Sequence, residues 1–221
     1  MENINFTILD KGIDEFADNM RKSGIVSFAA NPYYLELEGY KLSMAATFRM
    51  KWLAKKFTPE DIGSGKIAKF IDENFQKTVN NLAFWINIDN LKQYLVSKPN
   101  EAEKLVYDVF TSTDAEVAFN NLAEKVRNYD VVAALFFLRD RNQFMPLAPS
   151  HIDKIFDDLG IDFKTSGNIT YENYTEYNSI LQQIRKHISE RLGIETTLLD
   201  THSLLWTILG PKKPTATTAT P

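Results

Sequence analysis

Residues 131–138 read VVAALFFL, eight apolar residues in a row between Asp130 and Arg139. A segment that is apolar on every side has no face to offer water and must be enclosed by other elements. It is far shorter than the roughly 18 residues that cross a bilayer. Ala133 and Ala134 favour a helix, so the run predicts a central buried helix. The rest of the chain must then supply a shell around it.

Helical periodicity supplies that shell. Ile13, Phe16, Ala17 and Met20 share one face before Gly24. The stretch 41–57 predicts an amphipathic helix with Leu42, Ala46, Met50, Leu53 and Phe57 as its inner stripe. Thr58-Pro59 followed by Glu60 and Asp61 is a helix start. Residues 66–78 continue with Ile67, Phe70, Ile71 and Phe75, and residues 89–96 form a helix that Pro99 ends. Two more helices follow at 100–110 and 114–127, the second capped by Thr113 or Asp114. Pro149 or Ser150 opens a short helix that ends at Gly160. The longest, 171–192, turns Tyr177, Leu181, Ile184 and Ile188 inward and stops at Gly193. The last, about 200–209, starts at Asp200.

Strand signals are few. The segment IVSFAANPYYLEL is extended, and Pro32 makes it a poor central strand. The expected class is therefore all-α, a multi-helix globular domain with at most a small extended or β element near the N-terminus. Residues 1–128 and 129–210 read as an N-terminal and a C-terminal helical lobe, which could equally form one domain. The ending PKKPTATTATP at 211–221 has nothing large to bury and reads as a flexible tail or linker.

A hydrophobic fraction of 44% and an aromatic fraction of 12% suit a real core, and the net charge of −4 advertises no polyanion partner globally. The absence of cysteine removes disulfides, thiolate metal sites and cysteine nucleophiles, and fits a reducing cytoplasm. The first residues, MENINFTILDKGIDEF, lack the apolar core of a secretion signal.

Catalytic patterns are weak. His151, His187 and His202 form no metal-ligand spacing; His187 suits a helix C-terminus, and Asp200 is more simply a cap than the partner of His202. Asp162-Phe163-Lys164 matches a nuclease fragment, but the preceding Asp157 and Asp158 lie on a helix rather than a neighbouring strand. The stretch DIGSGKIAKF, with Gly63 and Gly65 before a helix, has the look of a phosphate-cradling turn without a recognised spacing, and a plain connector accounts for it. No cofactor is expected.

Two patches suit recognition. From 41 to 69 there are seven basic and two acidic residues, a local balance of +5. Lys41, Lys51 and Lys55 fall opposite the aliphatic stripe with Phe48 and Trp52 between them, and Lys56 follows. Cations interleaved with rings can track phosphates and stack on bases; equally, the rings can pack under a second layer and leave the lysines solvated. The loop KTSGNITYENY offers Lys164, Ser166, Asn168, Tyr171 and Asn173 as hydrogen-bonding or stacking groups. The alternative is a helix start capped by Thr170 with its tyrosines turned inward. The expected nucleic-acid contacts are thus Lys51, Trp52, Lys55, Lys56 and these five loop residues.

The C-terminal half also carries a longer pattern. FFLRDRNQFMPLAPSHIDKIFDDLGIDFKTSGNITYENYTEYNSI and TLLDTHSLLWTIL follow, in order and spacing, an apolar helix, a connector LP-R-PS-FDKAF-LLGI-FK-S, a helix start SWENY and a final LLDAHSFLW. In this pattern residues 129–209 resemble a module of bacterial restriction and defence proteins, found there ahead of HNH nuclease or restriction-type ATPase domains. Ala148 stands where the pattern has a basic residue, and Tyr171 where it has tryptophan. The resemblance implies a non-catalytic DNA-recognition module joined to an effector nuclease or ATPase; a helical protein–protein adaptor in a similar assembly is the alternative.

Overall fold

The computed structural model describes residues 4–25, 38–76 and 82–210. Among them the protein is all helical: ten α-helices and no strand. They are α1 (Thr7–Lys22), α2 (Tyr40–Lys55), α3 (Lys66–Asn74), α4 (Trp85–Ser97), α5 (Pro99–Thr111), α6 (Ala115–Val126), α7 (Tyr129–Arg139), α8 (Pro149–Asp158), α9 (Tyr171–Leu192) and α10 (Leu198–Leu209). No helix among the described residues is long and apolar enough to cross a membrane. The expected extended segment near Pro32 and the expected tail 211–221 lie outside the described residues.

The apolar run is the centre of the molecule. Every residue from Tyr129 to Leu138 except Asp130 is buried. Helices α2, α4, α5 and α6 pack against α7, and α9 closes another side, its Tyr174 hydroxyl donating to the Ala133 carbonyl at 3.2 Å. A second group, α1, α8, α9 and α10, packs together. One apolar core runs from Leu9 to Leu205, so residue 128 marks a turn between helices rather than a break between two cores.

The connector after α7 is held by side chains of α9. Tyr174 donates to the Met145 carbonyl at 2.7 Å and Tyr177 to the Pro146 carbonyl at 2.9 Å. Asn178 accepts the Met145 N–H at 2.9 Å. These bonds satisfy backbone groups that burial of Phe144, Met145 and Leu147 takes from water. Burial in turn pushes the Tyr174 and Tyr177 hydroxyls well above their ordinary pKa, so both stay neutral donors.

Helix α2 reverses the expected orientation. Its buried residues are Lys41, Ala45, Phe48 and Trp52, while Met50 of the aliphatic stripe is 64% exposed. The cause is area: two aromatic rings remove more apolar surface from water than the aliphatic stripe can. Trp52 lies against Phe57, Phe70 and Phe110 with centroids 4.8, 5.4 and 4.4 Å away. Lys41 can lie inside this face because its ammonium meets the Glu38 carboxylate at 2.7 Å.

The helix starts follow local chemistry. Asp114 and Thr170 cap α6 and α9 through the N–H groups of Val117 and Asn173. At α10 the cap is Thr197; Asp200 sits three residues on and returns a bond to the Thr197 N–H, a reciprocal capping box. The capping role expected of Asp200 is right in kind, with the helix beginning a little earlier.

Candidate nucleic-acid interface and cleft

Two surfaces compete for a function. The first is the lysine face. Lys51, Lys55 and Lys56 are exposed. Lys51 donates to the Asn74 side chain at 2.9 Å, whereas Lys55 and Lys56 make no ion pair among the described residues. The face is less basic than the local count implied. Lys41 is internal, Lys66 is paired with Asp61 at 2.5 Å, and Lys69 lies 3.9 Å from Glu73. Trp52 is corrected: at 3% exposure it is a core residue and has no face left for a base. Phe48 is buried beside it. The reading in which the rings pack beneath the lysines describes this helix.

The second surface is an open cleft of about 800 Å³. Its walls come from 82–87, 127–130, the connector at 147–151, the loop at 166–169 and Trp206 of α10. The connector, the loop and the final helix are the segments that carry the resemblance, and here they meet. Asp130 braces the wall opposite them: it accepts the Phe84 N–H at 2.7 Å and the Asn87 amide at 2.9 Å. On the rim, Phe84, Trp85 and Ile86 are exposed in a row. Arg127 adds a cation from a left-handed residue, φ 56°, that ends α6. Trp206 meets His151 edge-on, with ring centroids 4.9 Å apart.

The loop KTSGNITYENY divides between inside and outside. Buried Asp153 of α8 ties it down, accepting the Thr165 N–H and hydroxyl at 2.7 Å each and the Ser166 N–H at 3.1 Å. Burial alone would raise the Asp153 pKa, but these hydrogen bonds outweigh it and hold the carboxyl below its ordinary value. Ser166 and Asn168 are exposed, and Ser166 lines the cleft. Lys164 is exposed and paired with Asp157. Tyr171 is half buried against Phe119. Asn173 is corrected: it is buried, accepting from the Tyr129 hydroxyl at 2.9 Å and donating to the Lys164 carbonyl at 2.8 Å. Both ends of its amide are committed to holding the loop, so it cannot read a base.

Beside the cleft lies a smaller chamber of about 170 Å³, lined by Glu38, Lys41, His202, Trp206 and the connector. Periodicity does not single out Glu38, and it places Lys41 among the surface lysines. The signal available was positional. His202 and Trp206 fall on the same apolar stripe of α10 as Leu198, Leu199 and Leu205. A polar residue inside such a stripe needs a reason.

The glycine turn 63–65 does cradle an anion, and the anion is the protein's own. Fully buried Glu103 of α5 accepts the N–H groups of Gly63 at 2.6 Å, Gly65 at 3.2 Å and Ala68 at 2.8 Å. Gly63 has φ +82°, and a Cβ there would stand 1.8 Å from the Asn100 side chain. The turn is a filled structural site.

Among the described residues, no group of three His, Asp or Glu side chains is arranged to hold a metal ion. No protein-family model, curated protein or solved structure matches the chain.

Proposed function

We propose that the chain is a non-catalytic nucleic-acid-recognition module of a bacterial restriction or defence system, working in the cytoplasm with an effector nuclease or ATPase. The observation that carries the reading is the convergence of the connector, the 164–174 loop and α10 on one open cleft. Recognition needs a concave site with flat apolar walls and a few placed polar groups. Trp206, Trp85, Ser166 and Arg127 supply them. Lys51, Lys55 and Lys56 offer positive charge for phosphates.

The test is a titration with double- and single-stranded DNA at several salt concentrations. Binding at low salt is expected, weakening steeply as salt rises. Each phosphate-contacting lysine removed lowers the slope of log affinity against log salt by about one. The triple variant Lys51→Ala, Lys55→Ala, Lys56→Ala should therefore lose about three units of slope while keeping its fold. No DNA binding at low salt would end the reading, and an unchanged slope would reduce the lysine face to a solvated surface.

One observation favours a second reading. Phe84, Trp85 and Ile86 form a contiguous exposed apolar row on the cleft rim, which suits a protein partner. If DNA does not bind, the helical adaptor leads, and Trp85→Ser should then abolish capture of the effector.

A further inference from the structure

The last helix carries a histidine whose surroundings leave it unfinished. His202 is 6% exposed, and its Nδ1 has no hydrogen-bond partner among the described residues. A buried polar atom left unpaired is costly, and a ligand that brings the missing partner relieves the cost. His202 lines the chamber beside the cleft.

The chamber's chemistry narrows what that ligand can be. Glu38 Oε2 accepts from Lys41 at 2.7 Å and from the Ser203 hydroxyl at 2.8 Å, so one negative and one positive charge cancel. Burial, with the Lys41 ammonium nearby, pushes the His202 pKa down to about 4, so the imidazole is neutral near pH 7. A neutral polar wall favours a neutral ligand over an ion. The rest of the lining is mostly apolar, with Leu82, Leu147 and the indole of Trp206. The His202 and Trp206 rings lie near-parallel, 18° apart, with centroids separated by 6.4 Å. At about 170 Å³ the chamber is smaller than the roughly 300 Å³ at which pockets for drug-sized ligands begin, which leaves room for one flat ring system. Leu82, Leu147, Ala148 and Trp206 border both the chamber and the cleft, so a ligand in the cleft has a route inward past the small side chain of Ala148.

We infer that the chamber is a seat for a single purine or pyrimidine base, with the His202 imidazole and the Glu38 carboxylate meeting the hydrogen-bonding edge of the base and Trp206 its face. This deepens the recognition reading and rests on it for the source of the base. A free nucleoside and a base swung out of a strand present the same edge. Swinging a base out costs stacking energy and is easiest where the base is mispaired.

The experiment uses the full chain as wild type, His202→Phe and Ala148→Trp. Phenylalanine keeps a ring and removes Nδ1. Tryptophan at half-exposed Ala148 blocks the route without entering the core, so it remains informative if His202→Phe folds poorly. The first probe is a short duplex with one mispaired 2-aminopurine, whose fluorescence rises when it leaves the stack. The second is free 2-aminopurine riboside, followed by quenching of tryptophan emission. With wild type, the duplex should bind and its emission should rise. Both variants should lose the rise; His202→Phe, which lies outside the cleft lining, should keep the salt slope of duplex binding and bind the riboside about tenfold more weakly. Riboside binding that Ala148→Trp abolishes, with no duplex binding, would keep the seat and end the nucleic-acid reading. Duplex binding with no emission rise, and riboside binding indifferent to both variants, would end the seat and leave the recognition reading standing. Binding of neither probe would overturn both.

Discussion

The lysine face of α2 and the cleft differ in what holds their side chains in place. Lys55 and Lys56 stand on a single helix end and reach into water, fixed by little beyond their own backbone. The cleft is assembled from five separate segments, and polar groups tie four of them: Asp130 joins 82–87 to 127–130, Asp153 lies under the loop, and Tyr174 and Tyr177 lie behind the connector. A face of the first kind is built by charge count and tolerates change residue by residue. A site of the second kind exists only when the whole fold exists, and its geometry can be specific.

The largest effect that sharpens this contrast lies beneath the lysine face. Trp52→Ala should cost about 3–5 kcal/mol in chemical denaturation, since it empties the ring cluster with Phe57, Phe70 and Phe110. A cost below 1 kcal/mol would return Trp52 to the surface. Next comes Asp153→Ala, which strands the Thr165 and Ser166 N–H groups. It should cost about 3 kcal/mol and raise protease sensitivity within 164–170. If the loop stays protected, something other than Asp153 holds it.

A smaller effect separates the two surfaces by pH. His202 is depressed to about 4 from its ordinary 6.5. Its neutral form stabilises the fold fully above pH 6.5, and that stability is lost as pH falls through the folded value near 4. Between these limits the wild type should lose about 2.5 kcal/mol more than His202→Phe. The triple lysine variant should follow the wild-type curve. Parallel curves for wild type and His202→Phe would show that the imidazole is not enclosed. Smallest of all, Met50→Gln and Leu53→Gln should each change stability by less than about 0.5 kcal/mol, because both side chains already face water. A larger loss from either would restore the aliphatic stripe as the inner face.

The sequence made the elements legible where one stripe was apolar and one was not. Helix α9 is such a case: Tyr177, Leu181, Ile184 and Ile188 are all fully buried. The run at 131–138 admitted one solution and takes it. Helix α2 presented two stripes, one aliphatic and one aromatic with lysines. Periodicity cannot rank two stripes; the area of the rings ranks them, and only once Phe70 and Phe110 are beside them in space. The site was less legible still. Ser166 was found as a polar loop residue, but its place in a cleft depends on Trp206 and Asp130, far away in the chain. Trp52 and Asn173 misled because an aromatic among lysines and an amide in a polar loop look alike whether they face water or not. Glu103 and His202 left a faint mark, a polar residue within an apolar stripe, whose partners lie on other helices.

The Glu103 cradle has a consequence for motion. The amides of Gly63, Gly65 and Ala68 sit in a partly exposed turn, where hydrogen exchange is ordinarily rapid, yet all three donate to a carboxylate on the inner face of another helix. They can open only if α5 separates from α3, which requires the core to part. Three surface amides should thus exchange as slowly as those of α7, and so report from the outside of the protein how often its centre comes apart.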